Sequence, residues 1–533
     1  MRKFCLILLW LPLWVFADNL SEPTFRVERT MTIFNDVMRQ VDMNYVDTLN
    51  YEDLTETAIN AMLRKIDPYT IYYPKDKDKD LKMMTTGKYG GIGSIISQRE
   101  VADSTGKKVK HTFITTPYEG KPAQRNDVRA GDRILKVDGV STDGKAVSEV
   151  SNMLRGVPGT RVTLTLERYG EKTPITRTFE REEVHMNAVD YATTMPYTDS
   201  LGTEHKAAYI AFGEFTTGSS QEFSNTLEKL VYGEGADAFI MDLRGNGGGI
   251  VDEAIKIVNL FVDRDIEVVS TKGKIQGSNR SYRTTVNPRY PKMKLIVLVD
   301  KNSASASEIV SGCLQDLGRA TLIGQRTFGK GLVQNLRPIA YDGHLKVTTS
   351  KYYLPSGRCI QAIDYAERQK GNELKKDTAG GILPDIVMED SAKVDITYTL
   401  YIKNMFFDYA TRYHHDHPTI PSPQTFTLTD EEIEDFCTFL DEQKFTYETE
   451  TSKFYKDMIE MAKNEDIDSI TLASLQALEP KLKPSYHEAI QRNIDEVKEF
   501  LGGEIVERYY YQRGRAAYHI RFDKQVARAL QEL

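Results

Sequence analysis

The sequence of 533 residues has little cysteine: four in all, and no Cys-x-x-Cys pair among them. Cys5 lies in the N-terminal apolar run, and Cys313, Cys359 and Cys437 are scattered along the chain. This spacing excludes a disulfide framework and a cysteine-based zinc site. We expect buried free thiols, with one disulfide as the alternative. The chain must therefore draw its stability from a hydrophobic core, for which it is amply long.

The sequence also lacks an excess of basic residues. Its 69 lysines and arginines are outnumbered by 77 aspartates and glutamates, so the net charge is −8. Nucleic-acid binding requires a basic surface that neutralises phosphates, which excludes nucleic acid as the main partner. The length predicts three or four domains of an ordinary soluble protein.

Long apolar runs are absent after the first 17 residues. Arg2 and Lys3 precede the run FCLILLWLPLWVF, and the small residue Ala17 follows it closely. A charged start, a short apolar stretch and a small residue at the end predict a secretory signal peptide over residues 1–17. The alternative is an uncleaved membrane anchor. Either way, we expect the rest of the chain to be exported.

Patterns along the chain predict a multidomain α/β protein. Residues 18–86 have helical periodicity, whereas residues 87–183 combine short alternating strands with glycine-rich turns and one helix. In residues 184–388 apolar strands alternate with amphipathic helices, which predicts a sheet covered on both faces. Residues 389–533 are again helical and more polar.

The segment NSASASEIV, residues 302–310, follows the apolar run KLIVLVD, which predicts a buried strand. Ser305 would stand at the start of the next helix, with Glu308 three residues later. That spacing is typical of a capping box, in which the serine only ends the helix. A serine between a buried strand and a helix is also where a nucleophile can be presented. The segment alone favours the cap.

A second strand end carries the segment DLRGNGGG, residues 242–249. Its glycines leave backbone N–H groups free to face an anion. It lacks the Lys-Ser/Thr ending of a phosphate-binding P-loop and the spacing of a dinucleotide fingerprint. An oxyanion hole uses the same device, and neighbouring strand ends would bring this loop near Ser305.

Histidine is missing near these two segments, so the base must be another residue. In RTFGKGLVQ, Lys330 lies between two glycines among apolar neighbours. Burial lowers the pKa of a lysine, which makes it a general base. Gln334 could orient the amine without adding charge. The alternative is a solvated turn lysine.

Together the segments SASASE, TFGKGLVQ and DLRGNGGG resemble the carboxy-terminal processing, or tail-specific, serine proteases. The segments YYLPSGRCI and GILPDI also look like that family's downstream elements. The resemblance implies a layered α/β protease core of the ClpP/crotonase type, with Ser305 as nucleophile, Lys330 as general base and Gln334 as the orienting residue.

The same resemblance implies the supporting residues of the site. The N–H groups of Gly248 and Ala306 would form the oxyanion hole, and Asp316 matches a core aspartate that would support the site. Gly247 stands where the family commonly has proline.

Residues 87–183 resemble the PDZ domain of these proteases. Gly91, Ile92 and Gly93 would present N–H groups to the terminal carboxylate of a peptide, which would add as a strand to the sheet edge. The sequence departs from the family at NDVRAGD, and Ser94 stands where a large apolar residue is common. The alternative is a glycine turn without a ligand.

The sequence therefore predicts an exported serine endopeptidase that binds protein or peptide substrates by their free C-termini and needs no cofactor or metal. The HHDH group at residues 414–417 favours a solvated loop over a metal site.

A periplasmic location is expected, with peripheral membrane association as an alternative. A PDZ scaffold that binds peptides without cutting them, and a crotonase-like acyl-CoA enzyme, remain rival functions. The oligomeric state and any adaptor stay open.

Overall fold

The computed structural model describes residues 22–102, 106–365, 367, 380–389, 395–482 and 485–533. The predicted signal peptide lies outside the described residues. The chain separates into two compact units, residues 1–65 and 66–533.

The described part of the first unit is helical, as its periodicity predicts. Helix α1 spans Glu22–Asn44 and helix α2 spans Tyr51–Arg64. The Asn50 side chain accepts a hydrogen bond from the N–H of Asp53 at 3.2 Å and so caps α2. An uncharged amide cap followed by acidic residues suits the positive end of a helix dipole.

The prediction of a helical region over residues 18–86 holds only in part. Strand β1, Ile71–Tyr73, interrupts it and pairs with the distant strand β18, Gly343–Tyr353. Helix α3 follows at Asp78–Thr86. The Ile-Tyr-Tyr run is too short to show a period, and its partner is far along the chain, so the local sequence carries no signal for the strand.

The β-rich segment forms its own sheet, and strand β2 (Lys88–Gly91) pairs with strand β9 (Glu182–His185) to bring its two ends together. The other elements are β3 (Ser94–Ala102), β4 (Lys108–Pro117), α4 (Pro122–Arg125), β5 (Arg133–Val137), β6 (Val140–Ser141), α5 (Val147–Leu154), β7 (Arg161–Glu167) and β8 (Ile175–Glu180). The strands run in the order β3-β4-β5-β7-β8, with β6 on β5. Alternate residues Val162, Leu164 and Leu166 are fully buried, which explains the alternation seen in the sequence.

The central sheet has six strands in the order β10-β11-β12-β15-β16-β19. They are β10 (Val189–Thr198), β11 (Glu204–Phe212), β12 (Ala238–Asp242), β15 (Lys294–Val299), β16 (Thr321–Gly324) and β19 (Ile386–Val387). The strand β10 is antiparallel to β11, and the others run parallel. The carboxyl ends of β12 and β15 therefore lie side by side, as the two candidate segments require.

Both faces of this sheet are covered. In β12, Phe239 and Met241 face the helices α6 (Ser219–Glu228), α7 (Val251–Val258) and α8 (Ala306–Asp316). The alternate residues Ala238 and Ile240 face helix α17 (Lys524–Glu532) at the end of the chain. Burial on both faces is why β12 is a continuous apolar run rather than an alternating one.

A second sheet, antiparallel in all its pairings, was not predicted. Its order is β1-β18-β13-β14, with β17 also paired to β18. The added strands are β13 (Glu267–Gly273), β14 (Arg280–Arg283) and β17 (Leu332–Ile339). Lys330 lies two residues before β17, so this sheet carries the candidate base.

The C-terminal segment is helical, as predicted, with a separate core that includes Phe406, Tyr409 and Phe436. The segment of residues 487–502 is divided between two helices at Asn493, whose φ of −126° is not helical. The helices are α9 (Asp395–Ile402), α10 (Met405–Asp416), α11 (Asp430–Glu442), α12 (Glu450–Asn464), α13 (Ser469–Gln476), α14 (Glu479–Leu482), α15 (Tyr486–Arg492) and α16 (Ile494–His519).

The chain is thus a multidomain α/β protein. Cys313 and Cys437 are buried and Cys359 is half-buried, and all three thiols are free. Within the described residues, no helix combines the length and the apolar character needed to cross a membrane.

Candidate active site

Ser305 lies on a strained turn between β15 and α8. The strand ends at Val299 and the helix begins at Ala306. Ser305 has φ 57° and ψ −113°, a backbone conformation that a residue other than glycine adopts only when its surroundings enforce it. A strand, a strained turn and a helix form the geometry that presents a nucleophile at the edge of a sheet. The turn therefore favours a nucleophile over a simple cap.

Capping does not occupy the Ser305 hydroxyl. The Glu308 carboxylate accepts a hydrogen bond from the Ser305 N–H at 2.8 Å, which is one half of the predicted capping box. The hydroxyl makes no cap bond with the first turn of α8. The Tyr352 phenol, which interacts with Ser305, donates to the Lys330 carbonyl, and burial holds the pKa of Tyr352 well above its usual value. The oxygen is therefore independent of the helix backbone.

Glu308 joins the turn of Ser305 to the loop of Lys330. Its Oε2 accepts from the N–H of Ser305 at 2.8 Å and from the N–H of Lys330 at 2.9 Å. Its Oε1 accepts from the Thr327 hydroxyl at 2.6 Å and from the Gly329 N–H at 2.8 Å. Burial raises the pKa of Glu308, and these four donors act in the opposite direction. One buried side chain thus fixes two loops that come from different sheets.

The Lys330 side chain has an environment suited to a base. Its ammonium lies 4.6 Å from the centre of the Tyr69 ring. Burial lowers the pKa of Lys330, and the positive charge of Lys346 lowers it further. The carboxylates of Glu308 and Asp67 act in the opposite direction but do not prevail. The alternative of a solvated turn lysine does not describe this residue.

The structure does not join Lys330 to its predicted partners. Across the part of the chain that the structure describes, no hydrogen bond links its ammonium to the Ser305 hydroxyl. The Gln334 amide donates to the Leu332 carbonyl and to the Thr348 hydroxyl, each at 3.3 Å, and not to Lys330. Catalytic hydrogen bonds often form only when substrate is bound, so the Ser-Lys pair and the role of Gln334 stay predictions.

Gly248 packs directly against the turn of Ser305. Its φ is 98°, and a Cβ atom here would lie 2.7 Å from the Ser305 Cβ and 2.8 Å from the Ala306 nitrogen. Only glycine therefore fits. Ala306 is the first residue of α8, so its N–H has no acceptor within the helix. The Gly248 N–H donates to the Asn246 Oδ1 at 2.8 Å. The two predicted oxyanion donors are neighbours, and one of them is engaged within its own loop.

Asn246 holds the glycine-rich loop in place. Its Nδ2 donates to the Phe212 carbonyl at 2.6 Å. Its own carbonyl accepts from the N–H of Ala304 at 3.0 Å and from the Ser307 hydroxyl at 2.9 Å. Because Asn246 is fully buried, these bonds fix the distance between the glycine-rich loop and the serine turn.

Asp316 lies at the other end of α8, about 15 Å from its start at 1.5 Å per residue. Its carboxylate pairs with Arg358 at 2.7 Å and accepts from the N–H of Ser356 at 3.0 Å. It therefore holds the turn between β18 and the Cys359 segment and does not contact Ser305. A supporting role remains a prediction.

Of the three predicted peptide-binding residues, Ile92 lines a cavity of about 200 Å³, whereas Gly91 and Gly93 are not part of its lining. Ile92 faces this cavity and is 3% exposed. The carbonyls of Ile92 and Gly93 accept from the N–H groups of Ala123 and Tyr118, which fixes the loop that follows Gly91. Ser94, also on the cavity wall, has a buried hydroxyl oxygen without a hydrogen-bond partner. The cavity has the position of a peptide groove beside β3.

The histidines at 414–417 lie at the end of α10 rather than in a loop, which corrects the predicted solvated loop. The His414 ring packs edge-on against Tyr509, and burial lowers the pKa of His414 to about 4. The His417 ring stacks on Tyr413 with 4.0 Å between centres. Aromatic packing accounts for these side chains, and no cluster of metal-binding side chains occurs among the described residues.

Comparisons with known proteins identify the family. The model of peptidase family S41 matches residues 206–388, and a PDZ domain model matches residues 113–168. A model described as "Probable PDZ-protease, C-terminal helical domain" matches residues 396–533. The carboxy-terminal-processing protease of Bartonella bacilliformis is 33% identical over 356 residues, which cover 67% of this chain and 74% of that protein. This chain belongs to the S41 carboxy-terminal-processing serine proteases.

A second curated relative is similar over a smaller share of its length. The "Probable CtpA-like serine protease" of Staphylococcus aureus strain N315 is 33% identical over 330 residues, which cover 61% of each chain. Among solved structures, a photosystem II D1 C-terminal processing protease is 24% identical with a TM-score of 0.40, covering 68% of this chain and 86% of that one.

Sequence reasoning missed several residues of the candidate site. Tyr352 reaches the site from strand β18 of the unpredicted antiparallel sheet, and Tyr69, two residues before β1, contacts Lys330, so no local pattern pointed to them. Glu308 was assigned only to the helix cap, because a glutamate three residues after a serine is typical of a capping box. Asn246 was overlooked inside the glycine-rich segment, where a buried amide among glycines was the available signal.

We expect Glu308→Gln to lower kcat about tenfold or more while the protease stays folded. The amide nitrogen would face backbone donors, so the tie between the two loops would be lost, and such bonds to a carboxylate are worth 1.4 kcal/mol or more. The measurement is kcat on a peptide substrate together with the thermal unfolding midpoint.

The matched control is Glu253→Gln. Glu253 is also buried in the first turn of a helix, α7, and its carboxylate accepts from Ser220, but it contacts neither candidate loop. Equal losses of activity in the two variants would show that the Glu308 effect is not specific to the site.

Proposed function

We propose that this chain is an exported serine endopeptidase that cuts by a Ser-Lys mechanism and selects substrates by their C-terminal tails. One observation carries the catalytic part: Ser305, on a strained turn, is tied through Glu308 to the loop of a buried lysine with a lowered pKa. The charged and apolar leader over residues 1–17 supports export to the periplasm. The domain boundaries 87–183, 184–388 and 389–533 belong to the same proposal.

The proposed reaction uses two residues of the chain for proton transfer and bond formation. Neutral Lys330 takes the proton of Ser305 as the hydroxyl attacks the scissile carbonyl. The N–H groups of Ala306 and Gly248 then stabilise the oxyanion, once the Gly248 N–H leaves Asn246. Lys330 returns the proton to the leaving amine, and water releases the acyl group. The Lys330 side chain must first turn from the Tyr69 ring towards Ser305.

The groove beside Ile92 supports the tail-binding part of the proposal. Met83, Tyr89 and Met186 give the cavity an apolar lining, which suits the last side chain of a peptide. Arg155 also lines it, with its guanidinium 5.6 Å from the centre of the Tyr89 ring. A cation beside a glycine-rich loop suits a terminal carboxylate.

Ser305→Ala should abolish peptide cleavage and labelling by a fluorophosphonate probe without unfolding the protein. Since its hydroxyl does not cap α8, its loss should cost little stability. The control is Ser311→Ala, a buried serine on the same helix whose hydroxyl donates to the Ser307 carbonyl at 2.8 Å. Cleavage that persists in Ser305→Ala would remove the proposed nucleophile, and Ser303 and Ser307 would be tested next. A wild-type chain that binds peptides without labelling would be a scaffold.

Lys330→Ala and Lys330→Arg should both be inactive, because a guanidinium does not lose its proton near neutrality. In the wild type, kcat/KM should rise with pH through the lowered pKa of Lys330, since only the neutral amine can accept the Ser305 proton. Activity in the arginine variant would assign the base to another group.

The neighbouring Lys346 allows a test of the direction in which the pKa of Lys330 is shifted. The charge of Lys346 lowers the pKa of Lys330, so Lys346→Gln should move the rising limb of the pH profile to higher pH. Lys272→Gln is the control, because Lys272 lies over the Tyr353 ring and does not act on the pKa of Lys330. A shift to lower pH in Lys346→Gln would contradict the assignment of Lys330.

A peptide with a free C-terminal carboxylate should be cut about tenfold faster than its amide at concentrations well below KM, because the groove holds a cation and a glycine-rich loop. A charged final side chain should slow cleavage, since it would be buried without a partner. Arg155→Gln should reduce the difference between acid and amide, whereas the exposed Arg161→Gln should not. Equal rates for acid and amide in the wild type would make this a general endopeptidase.

A further inference from the structure

The last helix of the chain forms part of the protease core. Val526 and Ala529 of α17 are buried against the face of the central sheet that α7 and α8 leave open. Their neighbours there include Tyr209, Ile240 and Leu298 on three adjacent strands. The helix is therefore fixed relative to the carboxyl ends of those strands, where the glycine-rich loop begins.

The start of α17 reaches the glycine-rich loop through the guanidinium of Arg244. Asp523 is the N-cap residue of α17, and its Oδ1 accepts from the N–H groups of Gln525 at 2.9 Å and Val526 at 3.0 Å. Its Oδ2 accepts from the Arg244 guanidinium at 2.7 Å. The Gln525 side chain also accepts from Arg244, at 3.2 Å. One carboxylate oxygen of Asp523 thus caps α17, and the other binds Arg244.

Arg244 lies in the loop itself, two residues before Asn246. Its Nε donates to both carboxylate oxygens of Asp242, at 2.9 and 3.1 Å, and Asp242 also accepts from the Tyr209 phenol at 2.7 Å. The Arg244 side chain is 21% exposed, and it lies between carboxylates from two parts of the chain. A planar guanidinium held on two sides has a fixed orientation, which limits where its own backbone can lie.

We propose that Asp523 is a positioning residue for the oxyanion loop: it holds Arg244 so that the loop places Gly248 against Ser305. The proposal rests on the Ser-Lys function proposed above and adds the C-terminal helical segment to the parts that catalysis requires. Asp523 does not contact the reacting atoms. Its effect passes through Arg244 and then along the loop to Asn246 and Gly248.

Asp523→Asn separates the contact with Arg244 from the helix cap. Asparagine caps helices as well as aspartate, so its oxygen can keep the bonds to Gln525 and Val526. Its amide nitrogen would then face the Arg244 guanidinium, and two hydrogen-bond donors cannot bond to each other. We expect kcat to fall about tenfold with KM within about twofold of wild type, since a misplaced oxyanion donor affects mainly the transition state.

The matched control is Asp468→Asn. Asp468 caps α13 in the same way, with its Oδ1 accepting from the N–H groups of Ile470 and Thr471 at 3.0 Å, and its other oxygen bonds the Thr471 hydroxyl rather than an arginine. This control should leave kcat and KM unchanged. Active sites are counted with a fluorophosphonate probe, so that kcat refers to folded enzyme in every variant.

A double-mutant cycle tests whether Asp523 acts through Arg244. The variant Arg244→Gln/Asp523→Asn should be no slower than Arg244→Gln alone, within about twofold. The proposal would be overturned if the losses of kcat in the two single variants multiply in the double variant, or if kcat is unchanged in Asp523→Asn. It would also be overturned if Asp523→Asn has fewer active sites, each with the wild-type kcat. The last outcome would mean that Asp523 only docks α17.

Hydrogen exchange gives a readout that does not depend on peptide cleavage. Backbone amides of residues 243–249 should exchange faster in Asp523→Asn than in wild type or in Asp468→Asn. Unchanged exchange in this loop would overturn the proposal even if activity fell. A wild-type chain that neither labels at Ser305 nor cuts peptides would instead contradict the proposed function, and the exchange result would remain valid for the loop.

Discussion

The Glu308 carboxylate is the interaction on which the candidate site depends. It belongs to a helix that packs on the parallel sheet, yet two of its donors, Gly329 and Lys330, lead into the antiparallel sheet. A buried carboxylate is costly unless its oxygens are fully hydrogen-bonded. The two sheets therefore cannot shift relative to each other without exposing an unpaired charge, and this fixes the serine turn and the lysine loop as one unit.

Around this fixed unit, the chain balances opposite demands on the candidate base. Burial and Lys346 favour the neutral amine that proton transfer needs, whereas Glu308 and Asp67 favour the ammonium. Glu308 thus aligns the two loops and at the same time opposes neutral Lys330. The lowered pKa shows that burial prevails. The face of the Tyr69 ring attracts a cation, and the Lys330 ammonium lies over it, without a hydrogen bond to Ser305 among the described residues.

The sequence predicted the strands and helices that hydrophobic periodicity and neighbouring residues determine. The apolar strands before Asp242 and Ser305, the helix after Ser305 and the helical C-terminal segment all follow from patterns within about 20 residues. The antiparallel sheet did not, because β1 and β17 pair with a strand whose identity only the folded chain reveals. Local sequence patterns also missed three residues that reach the site from elements distant along the chain: Tyr69, Tyr352 and Asp523.

The covering of the central sheet explains why a helical segment at the chain's end bears on the active site. A parallel sheet must be buried on both faces, and α6, α7 and α8 occupy one face only. The apolar residues of the other face, such as Ala238 and Ile240, require a cover, which α17 supplies. The N-terminus of α17 lies near the strand ends, because Asp523 pairs with Arg244 after β12 and the Gln525 amide donates to the Met388 carbonyl after β19. Its cap residue then has the loop arginine within reach, so one packing contact serves both the stability of the core and the geometry of the loop.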